Sequence, residues 1–492
     1  MPISCSKSQK CTDVVIIGNG PSGICLSYML SGYRPYYTGQ PHPNPMLNAR
    51  LQEVDRNISL VEQDLEFLSE GLEGRSSNPV AVLFDALSHP DADQGADNPS
   101  LLRWRYEENH MVEHMVLGKS KPGGSWQAME GSMQTLSLSS WMELPNLPFQ
   151  KWLKSNHSSD RRKETNGDRA TISDVCNYYT HFVNKMNIQN NFYNGYVVTS
   201  VKKVHTLKKT SGKEDKKCCC AEINGFPYFY EVKGYYTSPH SNDIGATKYE
   251  TCEEFSICSK YVVLATGTFD VPNTLSVPGE TLDFVSHSLH EFESVINQRD
   301  NLASNEPVMV VGAGLSAADA ILISIQNQVP IYHAFRRGAN DPSLILRKLP
   351  KNMYPEYHKV HMLMKGSEKS PFYKSFEKQG VVHIEPDKTV ILKEHKKRTD
   401  ETMSVKVSHV AVFIGSRPDL SFLPHEGRDL GVVKKYPIES KHNPIDIDPY
   451  SYQSMKELGL FAMGPLVGDN FVRFGQGGAL GITNYLTCKS ES

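Results

Sequence analysis

The sequence predicts an α/β chain built on two dinucleotide-binding, Rossmann-like domains, with inserted helical and β segments. Three observations point there. A continuous apolar run, Val14–Ile17, leads at once into Gly18-Asn19-Gly20-Pro21-Ser22-Gly23 and a helical stretch to Leu30. A second run ending at Val311 leads into Gly312-Ala313-Gly314-Leu315-Ser316-Ala317 and another helical stretch. Two further apolar runs, in Tyr261–Gly267 and Val410–Gly415, also end in small residues. Such runs suit strands buried on both faces of a parallel sheet. No short repeat is visible, but the strand–glycine–helix unit occurs twice, which implies two nucleotide-binding domains.

The first loop fits G-x-G-x-x-G between a strand and a helix, the context that makes the motif specific. Gly18 permits the tight turn, Gly20 lets backbone approach a pyrophosphate, and Gly23 lets the helix pack on the strand. The helix N-terminus offers free N–H groups and the positive end of its dipole to phosphates. Its place near the start of the chain is where FAD enzymes carry it. An acid about 20 residues further on should bind the ribose hydroxyls. None stands at Thr38–His42, and the first later candidate is Glu53. Either an insertion displaces the second strand, or another group holds the ribose.

In the second loop Ala317 takes the place of the third glycine, an accepted substitution. The following strand, Val329–Phe335, ends in Arg336-Arg337. An acid there would select NAD; a basic pair instead engages the 2′-phosphate of NADP by charge and bidentate hydrogen bonds. The second nucleotide is therefore expected to be NADPH, held by Gly312, Gly314, Leu315, Ser316, Ala317, Arg336 and Arg337.

Composition is that of an ordinary globular chain: 39% hydrophobic, 22% charged, formal net charge -3. That charge gives no general case for nucleic acid or a membrane surface as partner. No stretch reaches the ~18 apolar residues of a membrane helix. The N-terminus lacks a signal-peptide run, so a cytoplasmic protein is expected. The 10 cysteines contain no C-x-x-C, which argues against a dithiol reductase and a zinc ribbon, and no metal site is expected. Cys218-Cys219-Cys220, in a lysine-rich segment, reads as reduced thiols.

Between the loops, Ile58–Leu72 has helical leucine spacing, and Thr171–Met186 has a helical apolar face through Val175, Tyr179 and Phe182. Lys154–Asp168 reads as an exposed connection, and Tyr196–Ile257 alternates short β runs with charged turns. Lys208–Lys217 and Pro239–Ala246 are its most loop-like parts. The expected division is 12–300, the FAD domain with insertions at about 42–118 and 150–258, then 301–408, the NADPH domain, then 409–492, the return of the FAD domain.

Several segments resemble those of two-dinucleotide flavoproteins. Ala265-Thr266-Gly267 is similar to the strand end that marks the domain crossing there. Gly464-Pro465, Gly468-Asp469 and Gly477-Gly478-Ala479 resemble the last FAD segment, where a helix N-terminus faces the flavin. Gly123-Gly124-Ser125-Trp126, followed by Met133-Gln134, resembles the flavin-contact segment of N-hydroxylating monooxygenases. By that likeness Trp126, Met133 and Gln134 lie at the flavin. The strings Gly18–Tyr33, Leu68–Arg75, Tyr354–Lys359 and Gly464–Phe474 resemble the oxidative stress-induced growth inhibitor family, with a likeness from about Val14 to Leu486. His333–Arg337 leans toward the first of its two paralogues.

The resemblance implies a flavin monooxygenase, two-dinucleotide flavoprotein architecture with FAD and NADPH as cofactors. It implies an NADPH-consuming monooxygenase that forms a C4a-(hydro)peroxyflavin, with O2 and an unnamed small molecule as substrates and a role in restraining growth. The sequence departs from the flavin monooxygenase fingerprint: Phe284–Phe292 has altered spacing and no central glycine. Two alternatives stay open, an NADPH oxidase releasing peroxide and a non-catalytic cofactor-binding regulator with a protein partner. Tyr354, Tyr357, His358 and His361 read either as a site lining or, more simply, as packing on a helix.

Overall fold

The computed structural model describes residues 10–129, 131, 133–156, 169–205, 226–237, 253–298, 306–395 and 401–488. Lys208–Lys217, the three adjacent cysteines, Pro239–Ala246 and most of the Lys154–Asp168 connection lie outside them. The chain forms two compact units, one of residues 1–268 and 418–492, the other Phe269–Arg417.

The first unit is built on a seven-stranded sheet. Lys10–Ile17 lies at its centre, parallel to His114–Gly118 on one side and Glu253–Leu264 on the other. Leu460–Ala462 also runs parallel to Glu253–Leu264. Phe192–Asn194 runs parallel to His114–Gly118 at one edge, and Tyr228–Tyr236 and Tyr196–His205 complete the sheet as antiparallel strands, matching the β character expected of that region. The apolar run Val14–Ile16 is fully buried, as a central strand covered on both faces must be. Helix Pro21–Leu30 follows the first strand and buries every residue from Gly23 to Leu30.

The second strand of the first nucleotide-binding unit is not the one that follows in sequence. Tyr33–Tyr37 pairs antiparallel with Leu102–Tyr106 in a separate two-stranded sheet. His114–Gly118 takes the place beside the first strand, so the insertion displaces it, as one of the two sequence readings allowed. That strand ends in Gly118-Lys119-Ser120-Lys121, without an acid. Glu53 ends the inserted helix Pro45–Glu53 and is exposed.

The expected helix over Ile58–Leu72 is absent. Ser59 caps a single turn, Leu60–Glu62, and Asp64 caps a new short helix, Leu65–Ser69. Each cap accepts a backbone N–H and restarts the chain direction, and Leu60, Leu65 and Leu68 are buried from separate pieces. Helix Ile172–Lys185 forms as expected. Thr171 and Asp174 close a capping box at its start, and Val175, Tyr179 and Phe182 are fully buried.

The second unit holds a five-stranded parallel sheet in the order Val285–Ser286, His409–Val412, Val308–Val311, Ile331–Phe335, Tyr373–Glu377. Helix Leu315–Gln326 joins the third of these to the fourth in a βαβ unit. This unit begins ahead of the expected residue 301, because Val285–Ser286 is the edge of its sheet and Val271–Pro272 pairs with Ser416–Arg417. No described helix is long and apolar enough to cross a membrane.

Candidate functional site

In the first unit, three parallel strands end at one place. Gly18 N–H donates to the Leu117 carbonyl at 2.8 Å, Ala265 N–H to Ile17 at 2.8 Å, and Met463 N–H to Leu264 at 3.0 Å. Gly18, Thr266 and Gly464 thus follow on neighbouring strand ends, where open α/β sheets bind ligands. The three loop glycines differ in what limits them. Gly18 has φ +112, and a Cβ on it would fall 2.3 Å from the Ala265 carbonyl oxygen. One on Gly23 would fall 2.1 Å from the Gly18 oxygen, while one on Gly20 meets nothing within 4 Å. Helix Pro21–Leu30 has no side-chain cap and begins at Pro21, so its first amides are not spent on a capping side chain.

The Gly123-Gly124 turn lies against this loop. Gly123 N–H donates to the Asn19 carbonyl at 2.8 Å, and a Cβ at Gly124 would sit 3.0 Å from Gly20 Cα. Trp126 is on the turn Gly124–Ala128, and its carbonyl accepts from Cys176 Sγ at 3.1 Å. The Met133 carbonyl accepts from Ile172 N–H at 2.8 Å, and Gln134 bridges to Thr171. Trp126, Met133 and Gln134 are therefore stitched to the first half of helix Ile172–Lys185. Thr266 Oγ1 is buried without a hydrogen-bond partner among the described residues, and Gly267 is at φ +71, where an added Cβ would meet nothing within 4 Å.

Other expected residues have different surroundings. The Asn19 amide is 3% exposed and donates to the Ser120 carbonyl at 2.6 Å. It fills the space over the His114–Gly118 strand end, since a Cβ at Gly118 would lie 2.1 Å from Asn19 Nδ2. Lys119 pairs with Asp419 at 3.5 Å, which brings a carboxylate from the C-terminal segment to this loop. Gly464, at φ +68, and Gly475 both approach Ser22 Oγ. Gly477 and Gly478 are packing glycines: added Cβ atoms would meet Ala81 Cα at 2.3 Å and Met463 Cβ at 2.8 Å. Ala479 is fully buried. Asp469 is 1% exposed and faces Ser76, Asn78 and Tyr452.

The second unit repeats the loop geometry. Gly312 has φ +130, and its Cβ would fall 2.1 Å from the Phe413 oxygen; one at Gly314 meets nothing within 4 Å. Helix Leu315–Gln326 begins without a side-chain cap, with Ser316 exposed and Ala317 buried. His333 Nε2 lies 2.6 Å from the Gly312 carbonyl and Nδ1 2.7 Å from the Tyr373 hydroxyl. A carbonyl only accepts, so Nε2 carries the proton and Nδ1 accepts from Tyr373. Burial pulls the imidazole down to about 4, which keeps it neutral, and its two partners set this tautomer. Arg336 and Arg337 are both exposed at the strand end, but Arg337 donates to Ser343 Oγ at 2.8 Å. Arg336 has no hydrogen-bond or ion-pair partner among the described residues.

Tyr354, Tyr357 and His361 are buried, with Tyr357 bonded to Asp319 and His361 to the Ala339 carbonyl. His358 is half-buried. This is packing of helix Pro355–Met364, the simpler of the two readings. His287, in the altered fingerprint, is held by Glu280 at 3.0 Å. Sequence reasoning missed a buried ionic cluster in the first unit. Arg473, 1% exposed, contacts Asp85 and Asp93, and its guanidinium lies 4.2 Å from the Trp141 ring centroid. His89 lies 3.6 Å from both Asp85 and Glu143. Burial alone would lower the His89 imidazole, but the two carboxylates outweigh it and raise it to about 9. Arg473 and Glu143 are too distant in sequence from Asp85, His89 and Asp93 for any local pattern to join them.

A family model described as pyridine nucleotide-disulphide oxidoreductase matches residues 245–438. Human oxidative stress-induced growth inhibitor 2 is 45% identical over 97% of this chain and 94% of its own length. The chain belongs to the oxidative stress-induced growth inhibitor family. Human growth inhibitor 1 is 42% identical over 98% of this chain and 97% of its own, so overall identity does not follow the lean of His333–Arg337 toward the first paralogue. Among solved structures, a bacillithiol disulfide reductase of Bacillus cereus aligns with TM-score 0.56 at 15% identity, covering 98% of this chain and 100% of its own. Ornithine hydroxylase of Pseudomonas aeruginosa aligns with TM-score 0.55 at 12% identity, covering 97% and 99%. This growth inhibitor relative thus shares its overall fold with a disulfide reductase and an ornithine hydroxylase.

Proposed function

We propose that the chain is an FAD-dependent, NADPH-consuming monooxygenase, with FAD on the Gly18–Gly23 loop and NADPH on the Gly312–Ala317 loop. One observation carries the reading. In each loop the first glycine is pinned by backbone, while the middle one, Gly20 or Gly314, opens onto free space beside an uncapped helix N-terminus. That is the shape a pyrophosphate needs.

The residues fit the two cofactors. Gly18, Asn19, Gly20, Pro21, Ser22 and Gly23 form the phosphate turn for FAD. Thr266 offers an unspent buried hydroxyl at the adjacent strand end. Trp126, Met133 and Gln134 form the flavin wall by family likeness, with Gly267, Gly464, Gly477, Gly478 and Ala479 shaping the segments around it. Gly312, Gly314, Leu315, Ser316 and Ala317 receive the NADPH phosphates, and the unpartnered Arg336 takes the 2′-phosphate. Neutral His333 holds the Gly312 turn from the neighbouring strand. When bound, FAD and NADPH would supply the redox chemistry of a monooxygenase, by which one atom of O2 would go to a soft nitrogen or sulfur or to a carbonyl and the other to water. The relatives are named as growth inhibitors induced by oxidative stress, and we extend that setting to this chain.

A second reading, an NADPH oxidase releasing peroxide, is favoured by one feature: the altered fingerprint, with His287 committed to Glu280. Purified protein distinguishes the readings. We expect bound FAD and NADPH turnover in air, with peroxide yield separating oxidase from coupled monooxygenase. FAD-free protein that takes up no FAD, or no NADPH turnover, overturns the enzymatic reading.

A further inference from the structure

Asp469 stands in the segment whose family likeness is to the last FAD segment, yet its carboxylate is turned into protein. Oδ1 accepts from Ser76 Oγ at 2.5 Å and Asn78 Nδ2 at 3.0 Å, and Oδ2 accepts from the Tyr452 hydroxyl at 3.2 Å. The residue is 1% exposed, so neither oxygen is presented to a ligand. Asn78 makes a second bond to the same segment, to the Val467 carbonyl at 3.1 Å. Four residues after Asp469, Arg473 repeats the pattern with charge, reaching Asp93 and Asp85. Ser76, Asn78, Asp85 and Asp93 all belong to the insertion, and its Pro79–Ser88 helix, which carries Asp85, touches Gly477 so closely that a Cβ would not fit. The other side of the segment bears on the first glycine loop, where Gly464 and Gly475 approach Ser22 Oγ.

We propose that Asp469 is a positioning residue and not a cofactor ligand: with Arg473 it fastens the inserted Ser76–Asp93 segment to Gly464–Ala479, and the insertion thereby holds that segment in place against the cofactor loop. The inserted segment is then a brace for the flavin site. This rests on the reading that FAD occupies that loop. The bonds act as a unit, because unpairing any buried member strands its partners.

The test compares Ser76→Ala/Asn78→Ala, Asp469→Asn and Asp469→Ala with the wild-type chain, by FAD titration and the visible spectrum of the bound flavin. A brace predicts that the Ser76/Asn78 double variant raises the FAD Kd about tenfold and shifts the flavin spectrum, though neither side chain is a ligand. Asp469→Asn, which keeps an acceptor oxygen for Ser76 and Asn78 and turns an N–H toward the Tyr452 hydroxyl, binds close to wild type. Adding Asp469→Ala to the double variant costs less than the sum of the separate effects, since the residues share one network. If the double variant binds FAD like wild type while Asp469→Ala does not, Asp469 is a direct ligand and the proposal is overturned, with the flavin reading intact. If the wild-type chain itself binds no FAD, both fall.

Discussion

Single glycines carry much of the account, and they make opposite predictions within one loop. Gly20 has φ near -73 and open space, so Gly20→Ala should fold and melt like wild type. It should nonetheless weaken FAD binding at least tenfold, about 1.4 kcal/mol, because the methyl takes the place of a phosphate. Gly23→Ala should do the reverse, lowering the melting temperature by driving a methyl into the Gly18 carbonyl, an overpacking cost of ~1–3 kcal/mol or more. Equal melting temperatures would refute the division of roles. The arginine pair splits similarly. Arg336→Ala should raise the KM for NADPH about tenfold and leave that for NADH unchanged, while Arg337→Ala, whose side chain is tied to Ser343, should do less. At this scale the turn geometry of Gly18, Gly20, Gly23, Gly312 and Gly314 was legible, because each glycine loop sits in a local strand–glycine–helix pattern. The sequence was illegible for Asp469 and Arg473, whose partners lie far along the chain.

Elements show where local pattern stops deciding structure. Val14–Ile17 and Thr171–Met186 could be read because burial on both faces, or on one face of a helix, leaves a periodic record. Tyr33–Tyr37 is equally strand-like, but nothing local says that its partner is Leu102–Tyr106 and not the central strand. Ile58–Leu72 kept helical spacing across two caps that interrupt the helix. The ionic cluster on the inserted Pro79–Ser88 helix makes a pH prediction. His89 has its imidazole raised to about 9 from an ordinary 6.5, so its stabilising pairing with Asp85 and Glu143 is complete below about 6.5 and lost as pH rises through about 9. The melting temperature should fall over that window in the wild type and fall less in His89→Gln. Asp469 has the same sign lower down. Burial raises its carboxyl to about 7, against the hydrogen bonds of Ser76, Asn78 and Tyr452, so its stabilising share is complete below about 4 and lost as pH rises through about 7. Asp469→Asn should flatten that limb; an unchanged pH profile would show that Asp469 titrates normally.

For the whole molecule, the fold was legible because two strand–glycine–helix units with strand ends between and after them allow few topologies. The boundary of the second unit was not, since the edge strand Val285–Ser286 is only two residues long. Fold alone leaves the chemistry open, because a disulfide reductase and a hydroxylase share it with this chain. The absence of C-x-x-C removes the usual reductase dithiol. The central claim, that one chain binds FAD and accepts hydride for it from NADPH, is tested most directly by anaerobic mixing. FAD-loaded protein is mixed with NADPH or NADH, and the visible flavin absorbance is followed. The account predicts bleaching by NADPH within turnover time and at least tenfold slower bleaching by NADH. Flavin that stays oxidised with NADPH would contradict it.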